Sequence, residues 1–229
     1  NENLAALEFY TGSECRAVNT YVDMGGRGRG LFTAGYRGDT EAETDMITYV
    51  EVSTLGNPQE FGNLSANGTG SRRGGCSNGT RGLAGGAAPG VDHIDMLTIA
   101  SEGNSLDFGN LTVGRYYVSS CSSSTRGVIF PGYNGSNYNT NSIEYVTIAS
   151  NGQAVDFGDT AHTGGYGQAV SNSSRAVMGH GITPSTGTNY MEFVTIATTG
   201  NASDFGDMGV HTGDSGNNNN CSDSHGGLG

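Results

Sequence analysis

An acidic residue followed by phenylalanine recurs along this chain at Glu8-Phe9, Glu60-Phe61, Asp107-Phe108, Asp156-Phe157 and Asp204-Phe205, and glycine follows in the last four. The phenylalanines are 52, 47, 49 and 48 residues apart. A period of this length confines the chain to a repeat architecture. Each unit is then one supersecondary module that buries its apolar face only by stacking on its neighbours.

The wording inside the repeat identifies the module. Upstream of the last four phenylalanines run alternating apolar and Thr or Glu residues, at Ile47 to Val52, Met96 to Ala100, Tyr145 to Ala149 and Phe193 to Ala197. Period two with β-branched enrichment predicts a strand. A Gly/Asn connector (Leu55-Gly56-Asn57, Glu102-Gly103-Asn104, Asn151-Gly152, Thr199-Gly200-Asn201) joins each run to its acid-Phe pair and predicts a hairpin. A second marker follows each phenylalanine at Arg29-Gly30, Arg81-Gly82, Arg126-Gly127, Arg175-Ala176 and, in register, His225-Gly226. The short apolar runs behind the arginines end in glycine and predict another strand. The stretch between the two markers, such as Arg115 to Cys121 or Gly165 to Ser171, has room for one more. The result is an all-β chain with four short strands per repeat, the unit of a propeller blade.

Composition agrees. Forty glycines and 14% charged residues suit short strands and many tight turns. All ten basic residues are arginine, and 22 acids give a formal net charge of −12. Nucleic acid is excluded as a partner on that balance, because neutralising phosphates requires a basic face. No stretch reaches the roughly 18 to 20 apolar residues that span a bilayer as a helix, so membrane insertion is not expected, and the first ten residues do not read as a signal peptide. Cys15, Cys76, Cys121 and Cys221 form no CxxC pair, and three of them share one repeat phase. Equivalent positions point the same way, which favours small buried thiols over bridges.

The strands that end in glycine, with Gly85-Gly86 as a pair and tyrosines further on, resemble the kelch-like class of β-propeller repeats. The phrases beginning Arg126-Gly127-Val128, Tyr145-Val146-Thr147-Ile148-Ala149 and Asp156-Phe157-Gly158 are similar to repeats of structural proteins of tailed bacteriophages, tail fibres and virion components among them. The resemblance covers nearly the whole chain. It implies blades at about 26–78, 79–123, 124–173 and 174–222, a partial blade at 1–25 and the start of another at 223–229. Five blades are the simplest closure. Because both ends fall within a repeat, an excerpt of a longer protein with further blades is the alternative.

The acids Glu8, Glu60, Asp107, Asp156 and Asp204 recur with the repeat and are expected to be structural, meeting an arginine or the amides of a turn. Two readings stay open for Arg29, Arg81, Arg126, Arg175 and His225. They brace the strand start, or they ring the mouth of a propeller channel in the blade-to-blade connections and hold an anion. The recurrent Asp-Phe-Gly lacks any lysine or catalytic loop and is not a kinase motif. His93, His162, His180, His211 and His225 show no HxH or HxxxH spacing, and the acidic stretches at Gly38 to Glu41 and Asp214 to Asp223 match no calcium-loop pattern. No metal and no cofactor is expected. Asn78-Gly79-Thr80 and Asn172-Ser173-Ser174 fit the glycosylation triplet by composition alone.

Segments that vary between repeats, Tyr36 to Asp45, Ala87 to Asp95, Tyr133 to Ser142 and Ile182 to Tyr190, are expected to join the first and second strands of a blade. Variation on a constant scaffold is where recognition resides. Tyr36, Arg37, His93, Tyr133, Tyr138 and Tyr190 supply the flat amphipathic groups for contacting sugars or proteins, unless the tyrosines merely cover a face of the blades. The expected function is surface recognition without enzymatic activity, by a virion or extracellular module that contacts a host glycan or protein. The alternative is a scaffold, decoration or fibre protein that contacts other virion or filament subunits or forms a homo-oligomer. A glycan-processing enzyme ranks third, because the acids follow the repeat phase instead of converging.

Overall fold

The computed structural model describes residues 8–10, 15–17, 28–65, 70–136, 140–181 and 186–212, with the backbone alone for 8–10, 15–17, 34 and 210–212. Among these residues every regular element is a strand and every pairing is antiparallel. Strands β1 (Glu8–Tyr10) and β2 (Cys15–Ala17) pair with each other. The first sheet holds β3 (Arg29–Arg37), β4 (Ala42–Glu51) and β5 (Gln59–Asn63). The second holds β6 (Gly74–Ser77), β7 (Arg81–Ala87), β8 (Val91–Thr98) and β9 (Leu106–Asn110). The third is β10 (Ser120–Ser122), β11 (Arg126–Ile129), β12 (Ser142–Thr147) and β13 (Val155–Asp159). The fourth is β14 (Gln168–Ser171), β15 (Arg175–Gly179), β16 (Thr188–Thr195) and β17 (Ser203–Thr212).

The sheets are offset from the expected blades. Arg29 opens β3, the first strand of the three-stranded sheet, whereas Arg81, Arg126 and Arg175 open the second strands of their sheets, so boundaries at 78/79, 123/124 and 173/174 cut through the first hairpin. That hairpin is closed by a side-chain cap. Asn78 Oδ1 accepts from the amides of Thr80 and Arg81, and Asn172 Oδ1 from those of Ser174 and Arg175, at 2.8–2.9 Å. Ser123 Oγ fills the same role for Thr125 and Arg126. The two glycosylation-like triplets are therefore turn caps of a kind that Asn and Ser favour. In the four-stranded sheets the variable segments accordingly join the second and third strands, while Tyr36 to Asp45 joins β3 and β4, the first and second strands of the three-stranded sheet.

The acid-Phe-Gly signature is a β-bulge. Ile94 opposes Gly109 and Asp95 opposes Asp107, which leaves Phe108 as the extra residue; the register breaks at the same place in the other three sheets. The bulge leaves the acid outside and turns the phenylalanine inward. Phe61, Phe108 and Phe157 are 2–3% exposed. Around them the core divides into clusters that cross sheet boundaries: Cys76, Leu83 and Phe108 of the second sheet pack with Ile129, Val146 and Ile148 near or within the third.

The glycine after each phenylalanine is fixed by the next sheet. At Gly62, Gly109 and Gly158, φ is +153°, +149° and +143°. A Cβ there would lie 2.2, 2.1 and 2.4 Å from the carbonyl oxygens of Gly103, Gly152 and Gly200 in the following hairpin turn. The same turn glycines donate their amides to the carbonyls of Phe61, Phe108 and Phe157 at 2.7–2.8 Å. Two residues beyond each phenylalanine the backbone is bonded again. Asn63, Asn110 and Asp159 accept from Ser105, Ala154 and Ala202, and donate to Asn104 Oδ1, Gln153 Oε1 and Asn201 Oδ1. Successive sheets are thus joined by backbone hydrogen bonds as well as by side-chain packing.

The first strands form a second seam. Ser122 Oγ donates to the Ser77 carbonyl at 2.6 Å and Ser171 Oγ to the Ser122 carbonyl at 2.8 Å. Beside them Cys76 and Cys121 are free and buried, and burial pushes both thiols up to about 12, which makes them inert packing groups. Cys221 and the Cys15 side chain lie outside the described residues.

Gly109→Ala combines the strained φ with the clash against Gly152 and is expected to cost about 3 kcal/mol. Gly103→Ala, also at positive φ but with open space around it, is expected to cost about 1 kcal/mol. Urea melts of the two variants test this, and equal losses would contradict the docking account.

Candidate recognition face

Antiparallel pairing places the first-to-second and third-to-fourth turns at one end of every four-stranded sheet. The second-to-third loops and the sheet-to-sheet connectors lie at the other end. The arginine markers belong to the first end. Arg29, Arg81 and Arg126 each reach into the following sheet, donating to the carbonyls of Ile99, Ile148 and Ile196 at 3.0–3.1 Å. The guanidinium groups of Arg29, Arg126 and Arg175 lie on rings of their own sheets, 4.6 Å from Tyr49, 4.7 Å from Tyr145 and 4.4 Å from Phe193. Arg29 is further held by Glu51 at 2.9 Å. These arginines are therefore not in the connectors, where the anion ring was expected, because each opens a strand: the second of its sheet for Arg81, Arg126 and Arg175, and β3 for Arg29. His225 lies outside the described residues.

The signature acids do not meet them. Glu60, Asp107, Asp156 and Asp204 are exposed on the bulge. Asp204 Oδ1 accepts from the amide of Gly206 at 3.2 Å, and Asp107 stands 3.8 Å from His93 Nδ1. The Glu8 side chain is outside the described residues.

A different set of acids is buried. Asp95, Glu144 and Glu192 occupy one position of the third strand and are 0–1% exposed. Each is held by the connector from the preceding sheet. The amides of Ser65, Thr112 and Ala161 donate to them at 3.2, 3.0 and 2.9 Å. Each also has a basic partner. Arg73 contacts Asp95 at 3.0 Å, Arg115 is in direct contact with Glu144, and His180 and His162 stand 2.6 and 3.3 Å from Glu192. Burial draws the Arg115 guanidinium down to about 10, which leaves it a cation at neutral pH. For Asp95, burial is outweighed by the hydrogen bonds of Ser105, Arg73 and Ser65, so its carboxyl sits below the usual range. Glu192 is lowered likewise: burial raises it, and the hydrogen bond and charge of His180, the Ala161 amide and the His162 charge together lower it more. In the first sheet Thr48 takes this position.

The connectors themselves carry an aromatic column. Arg72, Tyr117 and Tyr166 occupy equivalent places, and all three have positive φ, at 66°, 55° and 57°. Left-handed backbone at a non-glycine residue persists only where its surroundings enforce it. Here the amide of Tyr117 donates to the Arg72 carbonyl at 2.9 Å, and that of Tyr166 reaches the Tyr117 carbonyl at 3.4 Å. The Tyr117 and Tyr166 rings stack at 3.6 Å, and the Arg72 guanidinium lies 4.8 Å from the Tyr117 ring. Tyr116 extends the cluster, 5.1 Å from Tyr117 and edge-on to Tyr133 at 5.1 Å. A two-way backbone bridge holds Tyr116 to Tyr133. In the fourth sheet Tyr190 stacks on His162 at 3.9 Å.

Of the sequence candidates, Tyr133 and Tyr190 thus belong to aromatic clusters at the connector end. Tyr36 and Arg37 are exposed at the end of β3, where Arg37 pairs with Asp39 at 2.7 Å. His93 is not a surface contact: it is buried in β8, with Nε2 2.9 Å from Ser65 Oγ. Tyr138 falls outside the described residues. Arg72, Tyr116, Tyr117 and Tyr166 were missed because the connectors have no repeating wording, although Tyr116-Tyr117 and Tyr166 stand at one distance before their serine strands. No family model matches this chain, and no curated protein matches it.

Glu192 contributes stability that is present above its unfolded value, near the usual 4.5, and is lost as pH falls through its lower folded value. Acid titration of folding is expected to show a loss beginning below that point. Glu192→Gln should remove part of the slope, and an unchanged slope would contradict the pairing.

Proposed function

We propose that the sheets are blades of a propeller-type stack and that the chain is a non-enzymatic recognition module of a virion or extracellular surface. Its ligand is a host glycan or protein, met at the connector end. The observation that carries this reading is the exposed Arg72 with the half-buried Tyr116, Tyr117 and Tyr133, backed by the buried Tyr166 ring on which Tyr117 stacks. Rigid tyrosines and a guanidinium held on enforced backbone supply apolar ring faces, hydroxyls and a charge at small entropic cost, as sugar and protein contacts require.

The repeat-phase groups argue the same way. The arginine markers Arg29, Arg81 and Arg126 and the buried acids Asp95, Glu144 and Glu192 all spend polar atoms on joints between sheets. Side chains that vary from unit to unit lie at the connector end, away from the arginine markers. A scaffold built this way leaves recognition to side chains that its joints do not use. Asp95, Glu144 and Glu192 are engaged in joints, a use unlike that of a glycosidase pair.

A glycan array followed by titration of the best responder, with host-cell adsorption in parallel, tests the reading. Tyr133→Ala and Arg72→Ala are each expected to weaken binding by at least about tenfold, the scale of a contact hot spot. Glu60→Ala, at the other end, should leave it unchanged. Absence of binding in both formats, or equal effects of all three substitutions, would overturn the reading.

A further inference from the structure

The joint between sheets recurs three times inside the chain, and both of its halves recur once more without engaging each other. The receiving half is a bulged phenylalanine with its glycine. At β17 this is Phe205-Gly206-Asp207, where a Cβ on Gly206 would meet nothing within 4 Å and Phe205 is 47% exposed. Its counterparts Phe61, Phe108 and Phe157 are 2–3% exposed under the next sheet.

The entering half is a Gly/Asn turn with the apolar residue that ends the third strand. In the first sheet these are Gly56-Asn57 and Val52. Gly56 has open space around it, and Val52 is 68% exposed. The equivalent Ile99, Ile148 and Ile196 are 6%, 0% and 1% exposed. Leu55 beside them is fully exposed.

We infer that the β17 edge of one copy receives the Val52 to Asn57 turn of a second copy, so that chains associate head to tail. The occupant follows from continuity with the three internal joints. Gly56 N–H would donate to the Phe205 carbonyl, the Asp207 amide to Asn57 Oδ1, and Arg175 to the Val52 carbonyl, as Arg126 does to Ile196. Phe205 and Val52 would cover each other. Such a contact is heterologous, because it joins two different surfaces and leaves one of each free for a further copy. It also covers the β17 edge, which pairs with no strand but β16 among the described residues.

Two substitutions make this joint weaker than the internal ones. Pro58 stands where Ser105, Ala154 and Ala202 donate an amide, and Thr48 stands where Asp95, Glu144 and Glu192 receive one. Association between copies is therefore concentration-dependent, whereas the internal joints are maintained by the chain. The inference does not depend on the recognition face, which lies at the connector end.

Light scattering after size exclusion, across a concentration series of the full chain, tests it. The mass of the unmodified chain should rise with concentration. Phe205→Lys and Val52→Lys change exposed residues, so both should fold, as circular dichroism would verify, and each should remain at monomer mass. Mixed in equal amounts, they should form a species of twice the monomer mass and nothing larger, since each keeps one intact half. A monomer at every concentration, assembly that survives either substitution, or variants that fail to pair when mixed would each overturn the inference.

Discussion

The hydrogen bond from a hairpin-turn glycine to the carbonyl of the bulged phenylalanine in the preceding sheet sets the geometry on which the other contacts depend. It requires two backbones to meet with no side chain between them. The residue after the phenylalanine must therefore be glycine, as at Gly62, Gly109 and Gly158. Once the backbones meet, Phe108 is covered by the third sheet, Arg81 reaches the Ile148 carbonyl, and the Asn110 amide finds Gln153. A chain with few charged residues can build a stable stack this way because its joints rely on backbone groups, which every residue supplies.

Buried acids extend the same logic to the other end of the sheets. Asp95, Glu144 and Glu192 each fix the connector that enters their sheet. A buried carboxylate without partners would be strongly unfavourable. Each is therefore matched by a base, arginine in two sheets and a pair of histidines in the fourth. With connectors held at both their amides and their side chains, Tyr117 and Tyr166 can be kept in left-handed backbone and stacked. Scaffold and recognition face are coupled through these acids.

The strands and their hairpins were legible because the alternating runs and the Gly/Asn turns carry strong local signals. The grouping into sheets was not, since it turns on whether the weak serine strand pairs forward or backward. It pairs forward, with the arginine strand, through the caps at Asn78, Ser123 and Asn172. Of the two partners expected for the signature acid, an arginine or backbone amides, Asp204 takes an amide, that of Gly206, while the arginines seek carbonyls of the next sheet. The buried acids Asp95, Glu144 and Glu192 stand one residue before the alternating runs, where the sequence pattern did not single them out. They are buried opposite the bulge of the fourth strand, and a periodic pattern does not reveal a bulge. The aromatic column was hidden for another reason, since stacking across repeats depends on backbone conformation and not on spacing.

Hydrogen exchange of single amides tests the central claim most directly. Gly103, Gly152 and Gly200 sit in hairpin turns, where amides ordinarily exchange fast, yet here each donates across a sheet boundary. The account predicts that they exchange as slowly as ladder amides of the strands around them. Exchange at the rate of open turn residues would show that the sheets are not joined through their backbones.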